Sequence, residues 1–71
     1  TMATLNFVHW MESYLKYKPD ISVFVDLIRA YAYLGDTVRM QATIDRALYL
    51  YRDHPLILET AKEVKEKYSV N

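Results

Sequence analysis

Residues 23–36 read VFVDLIRAYAYLGD, an apolar and aromatic run that ends at the one glycine of the chain with a second apolar segment behind it. Together with Ile21, the residues Phe24, Leu27, Ile28, Tyr31 and Leu34 recur at three- and four-residue steps, which places them on one side of a helix over about 21–34. Gly35 can take the left-handed backbone that closes a helix end, and Asp36 or Thr37 is placed to cap the next helix. The stretch predicts the elbow of a helical hairpin.

The same periodicity extends in both directions. Downstream, Met40, Ile44, Ala47, Leu48 and Tyr51 form the apolar stripe of a helix over about 37–52, and Asp53-His54-Pro55 punctuates it. A further helix over about 56–68 is expected to bury Ile57, Leu58, Ala61, Val64 and Tyr68. Its outer face carries Glu59, Lys62, Glu63, Glu66 and Lys67, with Glu59–Lys62 and Glu63–Lys67 as supporting pairs. Upstream, a first helix over about 4–17 begins at Thr4 as N-cap. It shows a stripe of Phe7, Trp10, Met11, Tyr14 and Tyr17, widened by Leu5, Val8 and Leu15. Lys18-Pro19-Asp20 ends it, because proline disfavours helical geometry in the residue before it, and Asp20 can cap the second helix. The predicted fold is all-α, with four antiparallel helices in one domain spanning 1–71.

Composition limits what such a domain can be. With 71 residues and 52% hydrophobic content there is one small core, and without cysteine there is neither a disulfide nor a thiolate metal site to staple it. Nine basic residues balance nine acidic ones, which removes the electrostatic footprint of nucleic-acid or anionic-membrane binding. No apolar run reaches the roughly 18–20 residues of a membrane span, and the first residues lack the pattern of a signal peptide, which leans toward an intracellular location but leaves the compartment unknown. Thr1 ahead of Met2 suggests a piece excised from a longer chain.

Residues able to carry chemistry are sparse. His9 and His54 stand far apart with no HxxxH or HExxH spacing, and a surface or capping histidine is the better reading of each. Glu12, Asp26, Asp45 and Glu59 each lie near a basic residue and suit solvated ion pairs. Ser13, Ser22 and Ser69 have no histidine partner and no glycine-rich strained turn, and a single glycine excludes a glycine-rich phosphate loop. The expectation is a non-enzyme without metal or cofactor.

A shift of 34 residues superposes Ile21, Val23, Phe24 and Leu27 on Pro55, Ile57, Leu58 and Ala61, and Trp10, Ser13 and Tyr17 on Ile44, Ala47 and Tyr51. A 34-residue helix-turn-helix unit resembles the tetratricopeptide repeat. Residues 21–54 match that family at Phe24, Leu27, Tyr31, Gly35-Asp36, Ile44 and Ala47. They depart from it at Ile28 and Met40, and at Arg52, with Pro55 arriving three residues late. The resemblance implies a protein-interaction module whose concave groove is lined by the first helix of each unit, here helices 2 and 4. It places Ser22, Val25, Arg29, Ala32 and Tyr33 on that groove, facing a protein or peptide partner. The run KPDISVFVDLIRAYAYLGD also resembles the pentatricopeptide repeat, a family that reads single-stranded RNA with polar residues at its fifth and closing positions. Val25 holds the fifth position here and offers no hydrogen bond to a base, so the RNA reading is the alternative.

Seven tyrosines, two phenylalanines and one tryptophan exceed what a few small helix seams require. Tyr31, Tyr51 and Tyr68 fall on core stripes, whereas Tyr33 sits about 200° around the helix from Tyr31 and cannot share its seam. Tyr49 likewise falls outside the core stripes. The terminal helices each have an unpartnered side, and Phe7 and Trp10 are the residues expected to support self-association through helix 1. A purely structural or self-associating helical segment is the remaining alternative.

Overall fold

A computed structural model describes residues 1–68, and among these it holds four helices: α1 (Met2–Tyr17), α2 (Ile21–Leu34), α3 (Thr37–Leu50) and α4 (Pro55–Lys67). Ser69 lies outside the described residues. Each boundary has a local cause. Asp20 accepts the Val23 N–H at 3.1 Å and so caps α2. Gly35 closes α2 at φ 76°, its N–H donating to the Ala32 carbonyl while the Asp36 N–H donates to Tyr31. Asp36 then caps α3 by accepting the Arg39 N–H at 3.0 Å, so both functions of the elbow fall on adjacent residues.

Three boundaries differ from expectation, besides the end of α4, which stops at Lys67 with Tyr68 as its C-cap. Helix α1 begins at Met2, two residues before the predicted Thr4, because the Thr1 side chain accepts the Thr4 N–H and is itself the cap. Helix α3 ends at Leu50 rather than Arg52, since Tyr51 leaves helical geometry and Asp53 turns left-handed at φ 53°, a conformation that aspartate tolerates better than most residues. Helix α4 opens one residue early with Pro55 in its first turn, where a missing N–H costs nothing, and His54 caps it by accepting the Leu56 N–H through Nδ1.

Helix α2 is the centre of the fold and packs against each of the other three. Phe24, Val25, Leu27, Ile28, Ala30, Tyr31 and Ala32 are all buried on it. They join Met40, Ile44 and Ala47 of α3 and Ile57, Ala61 and Val64 of α4 in one core, with Ile28, Met40 and Ile57 wholly inaccessible. The radius of gyration is 11.3 Å, close to the ~11 Å expected of a compact chain of this length. No helix among the described residues is long and apolar enough to cross a membrane.

The core of α1 keeps Met11 of the predicted stripe and Val8 and Leu15 of its predicted margin, but not its aromatic residues or Leu5. Val8 and Met11 are buried and Leu15 packs beside them, whereas Phe7, Trp10 and Tyr17 are exposed. Because α1 packs its backbone against α2 alone and reaches α3 only through the Glu12–Arg46 pair, it can cover one side only, and the aliphatic side won. On α4, Leu58 and Tyr68 are exposed while Thr60 is buried, so the packed line is Ile57, Thr60, Ala61 and Val64 at i, i+3, i+4 and i+7. The buried hydroxyls of Thr43 and Thr60 donate to the carbonyls of Arg39 and Leu56 at 2.7 Å, which lets two polar residues enter an apolar seam without losing a hydrogen bond.

Candidate functional site

Helix α2 is apolar around most of its circumference, and its polar residues occupy one line. Ser22, Asp26, Arg29 and Tyr33, at i, i+4, i+7 and i+11, are its four exposed residues, with Ile21, Val23 and Leu34 partly covered beside them. Of the five residues predicted to line a groove, Ser22, Arg29 and Tyr33 therefore reach solvent. Val25 and Ala32 are buried at 5% and 3% exposure and are unable to touch a partner. The correction has a simple cause: with α1, α3 and α4 all packed on α2, only a strip about one residue wide remains free. Asp26 belongs to that strip. The signal for it lies in the sequence, because Ser22, Asp26 and Arg29 are the only polar non-aromatic residues between 21 and 34.

Two grooves, each of about 450 Å³, meet along this strip and share Arg29. One is aromatic, formed by Phe7 and Thr4 of α1, Asp26, Ala30 and Tyr33 of α2, and Tyr68 just beyond α4. The other runs along α4 and is rich in carboxylates, with Glu59, Glu63 and Glu66 beside Leu56, Thr60 and Lys62. The wall between them is a forked ion pair. Arg29 donates from Nε to Glu63 Oε2 at 3.2 Å and from Nη2 to Glu63 Oε1 at 3.1 Å. This engages two of the five guanidinium N–H groups and fixes the side chain across α2 and α4, leaving the others for a ligand. The predicted pairing of Glu63 with Lys67 is replaced by this bridge.

A second polar junction ties α1 to the rest of the molecule. Glu12 accepts the Tyr31 hydroxyl at 2.5 Å and Arg46 Nη2 at 3.0 Å, and the Arg46 guanidinium also lies over the Phe24 ring, 5.3 Å from its centroid. Partial burial alone would raise the Glu12 carboxyl, but the hydrogen bonds from Tyr31 and Arg46 and the nearby positive charges outweigh it and hold the group below the ordinary glutamate value. Burial, reinforced by the bond to Glu12, pushes the Tyr31 phenol up to about 12. Both interhelical ion pairs, Glu12–Arg46 and Arg29–Glu63, join residues 34 positions apart.

The other sequence candidates, Phe7 excepted, lie outside the two grooves. His54 is a helix cap, and Tyr51 packs edge-on against Phe24 at 6.2 Å. Tyr49 is 87% exposed and touches no groove. Among the described residues no cluster of three His, Asp or Glu side chains could hold a metal ion, and no buried side-chain nitrogen or oxygen lacks a hydrogen-bond partner. Phe7 and Trp10, expected at a self-association surface, lie on the open side of α1, and Phe7 also contributes to the aromatic groove. No family model, curated protein or solved structure matches this chain.

Proposed function

We propose that this chain is a non-catalytic protein-interaction module of the tetratricopeptide-like kind, taking a peptide or helix along the face shared by α2 and α4. The observation that carries the reading is the convergence of Phe7, Arg29, Tyr33 and Tyr68, from different parts of the sequence, on one open aromatic groove. Aromatic residues and arginine are the types enriched where binding energy concentrates, because they bring large rigid contact area at low entropic cost. The two ion pairs that join residues 34 apart support a repeating unit of that length, since stacked repeats bring equivalent positions together.

The two grooves also describe the partner. An apolar side chain suits the aromatic groove, and a lysine or arginine one to two helical turns away suits the carboxylates of Glu59 and Glu66 across the Arg29–Glu63 bridge. The matching ligand is a short amphipathic, basic segment. Single-stranded RNA is disfavoured on the same face, because Val25 is buried and the neighbouring groove is acidic and repels phosphate.

Selection from a displayed library of random helical peptides tests this. Enriched sequences should combine an apolar anchor with basic residues, and Arg29→Ala or Tyr33→Ala should each weaken them by ~1–3 kcal/mol while Tyr49→Ala leaves them unchanged. Neither substitution should unfold the domain, because Tyr33 is 62% exposed and an exposed ion pair such as Arg29–Glu63 contributes only ~0.2–1 kcal/mol. Peptides that bind equally well to both alanine variants would refute the assignment of this face.

A further inference from the structure

Helix α1 has two apolar sides, and α2 covers one of them. The uncovered side carries Ala3, Phe7, Trp10, Tyr14 and Tyr17, alternating four- and three-residue steps, the spacing of a coiled-coil seam. Phe7, Trp10 and Tyr17 are 48%, 60% and 85% exposed. Trp10 and Tyr14 are already stacked on each other, 5.8 Å between ring centroids and 15° from parallel, so the platform needs no rearrangement to receive a partner. Shifted by 34 residues, Trp10 and Tyr17 fall on Ile44 of α3 and on Tyr51 just beyond it, the first buried in the core and the second packed against it. The open side of α1 thus has the pattern of a surface that packs against another helix.

We infer that this surface pairs with the same surface of a second copy of the chain, α1 against α1 in antiparallel orientation about a two-fold axis. The pairing lies outside the peptide groove and uses separate residues, Phe7 excepted. Three observations select this occupant. The steps 7, 10, 14 and 17 are symmetric about residue 12, so an antiparallel pair sets Phe7 against Tyr17 and Trp10 against Tyr14 on both sides of the axis, as a self-complementary interface requires. The charged residues of α1, Glu12 and Lys16, project from the other side of the helix, and Asn6 and Ser13 border the seam, so two copies meet without like charges opposed.

The third is area. At ~200 Å² per aromatic side chain, the exposed fractions of Phe7, Trp10 and Tyr17 supply about 400 Å² on each copy. With Tyr14 and the small flanking residues the total approaches ~1,000–1,200 Å², the lower end for specific interfaces. A reversible dimer results, with a dissociation constant on the order of 10–1,000 µM. Head-to-tail growth has no aromatic counterpart on α4, whose exposed side is charged at Glu59, Lys62, Glu63, Glu66 and Lys67 and offers only Leu56 and Leu58 as large apolar side chains.

Trp10 is the single tryptophan and reports directly on the seam. Over a dilution series of the intact chain, sedimentation equilibrium should show monomer passing to dimer and no further. Trp10 emission should shift to shorter wavelength over the same range. Raising the salt from ~0.1 to ~1 M should leave the transition in place, since the contact is uncharged. Tyr17→Lys should weaken the dimer at least tenfold with an unchanged far-ultraviolet circular dichroism spectrum, as this side chain is almost wholly exposed, and Trp10→Ala should do the same. Tyr33→Ala and Leu58→Ser should not weaken it. A monomer at ~1 mM, open-ended oligomers, dissociation by salt, or a dimer indifferent to Tyr17→Lys would each overturn the inference.

Discussion

Replacing Glu12 by glutamine isolates the charge at the junction of α1, α2 and α3. Glutamine keeps the length and one acceptor oxygen for Arg46, but it places an NH₂ group opposite the Tyr31 hydroxyl, so the Tyr31 bond can persist only by reversing, with the amide donating to the phenol oxygen, and both bonds lose their charged acceptor. Hydrogen bonds to a charged group contribute ~1.5–3 kcal/mol when well buried, while exposed ion pairs contribute ~0.2–1 kcal/mol. Tyr31 is buried, whereas Glu12 is about a third exposed and Arg46 nearly half, so the Tyr31 bond dominates and solvent discounts the rest. Glu12→Gln should therefore cost ~1–2 kcal/mol, which for a domain of this size lowers Tm by roughly 5–15 °C. Urea and thermal unfolding followed by circular dichroism measure this, and the pH dependence supplies a signature that a packing defect would not. The Glu12 carboxyl sits below the 4.5 of an unperturbed glutamate, so its contribution is present above that value and is lost as the pH falls through the lowered one. Tyr31 is raised from 10.0 to about 12, so its contribution is present below pH 10 and is lost as the pH climbs toward 12. The variant should show a shallower acid limb, and Tyr31→Phe a shallower alkaline one. Wild-type stability at neutral pH together with an unchanged acid limb would show that the junction carries no net stabilisation.

Two further substitutions probe the elements that set the fold. At Gly35 the backbone is left-handed and an added Cβ would meet nothing within 4 Å, so Gly35→Val should lower the urea midpoint by the strain alone, ~1–2 kcal/mol. Gly35→Asn should cost less, and equal costs for the two would refute the strain account. Thr60→Val should stay within ~1 kcal/mol of wild type, because the Leu56 carbonyl keeps its helical N–H donor after the hydroxyl is lost. Thr60→Ala should cost more by opening a methyl-sized gap, and the reverse order would mean that the hydroxyl matters more than the volume.

The all-helical class, the bounds of α2 and the Gly35-Asp36 elbow were legible because each rests on short-range physics: apolar period, left-handed glycine and a capping carboxylate one residue apart. What a helix with two apolar sides will bury was not. In α1 the aromatic stripe outweighs Val8, Met11 and Leu15 in area and would win on hydrophobicity alone, yet which side is covered depends on where α2 lies, a long-range fact absent from the local pattern. Leu58 was misplaced for the same reason. The partners of Arg29 and Glu12 were equally hidden, since Glu63 and Arg46 lie 34 residues away and each had an apparently adequate neighbour on its own helix. The 34-residue shift contained the clue, because it superposes Arg29 on Glu63 and Glu12 on Arg46, opposite charges at equivalent positions.

The crowding of α2 also decides whether recognition can change without loss of the fold. A helix packed on three sides devotes nearly every side chain to the core, so most substitutions along it destabilise, whatever they do to binding. Ser22, Asp26, Arg29 and Tyr33 escape that constraint because they lie on its one open line. Their contacts are with solvent, with the two grooves and with Glu63, none of which the core needs. Phe7 and Tyr68 line the same groove from exposed positions, while its floor is set by Ala30 on the buried side of α2. If a segment binds here as proposed, its identity would be set by a few rim side chains, Asp26, Arg29 and Tyr33, which can be exchanged without disturbing the core.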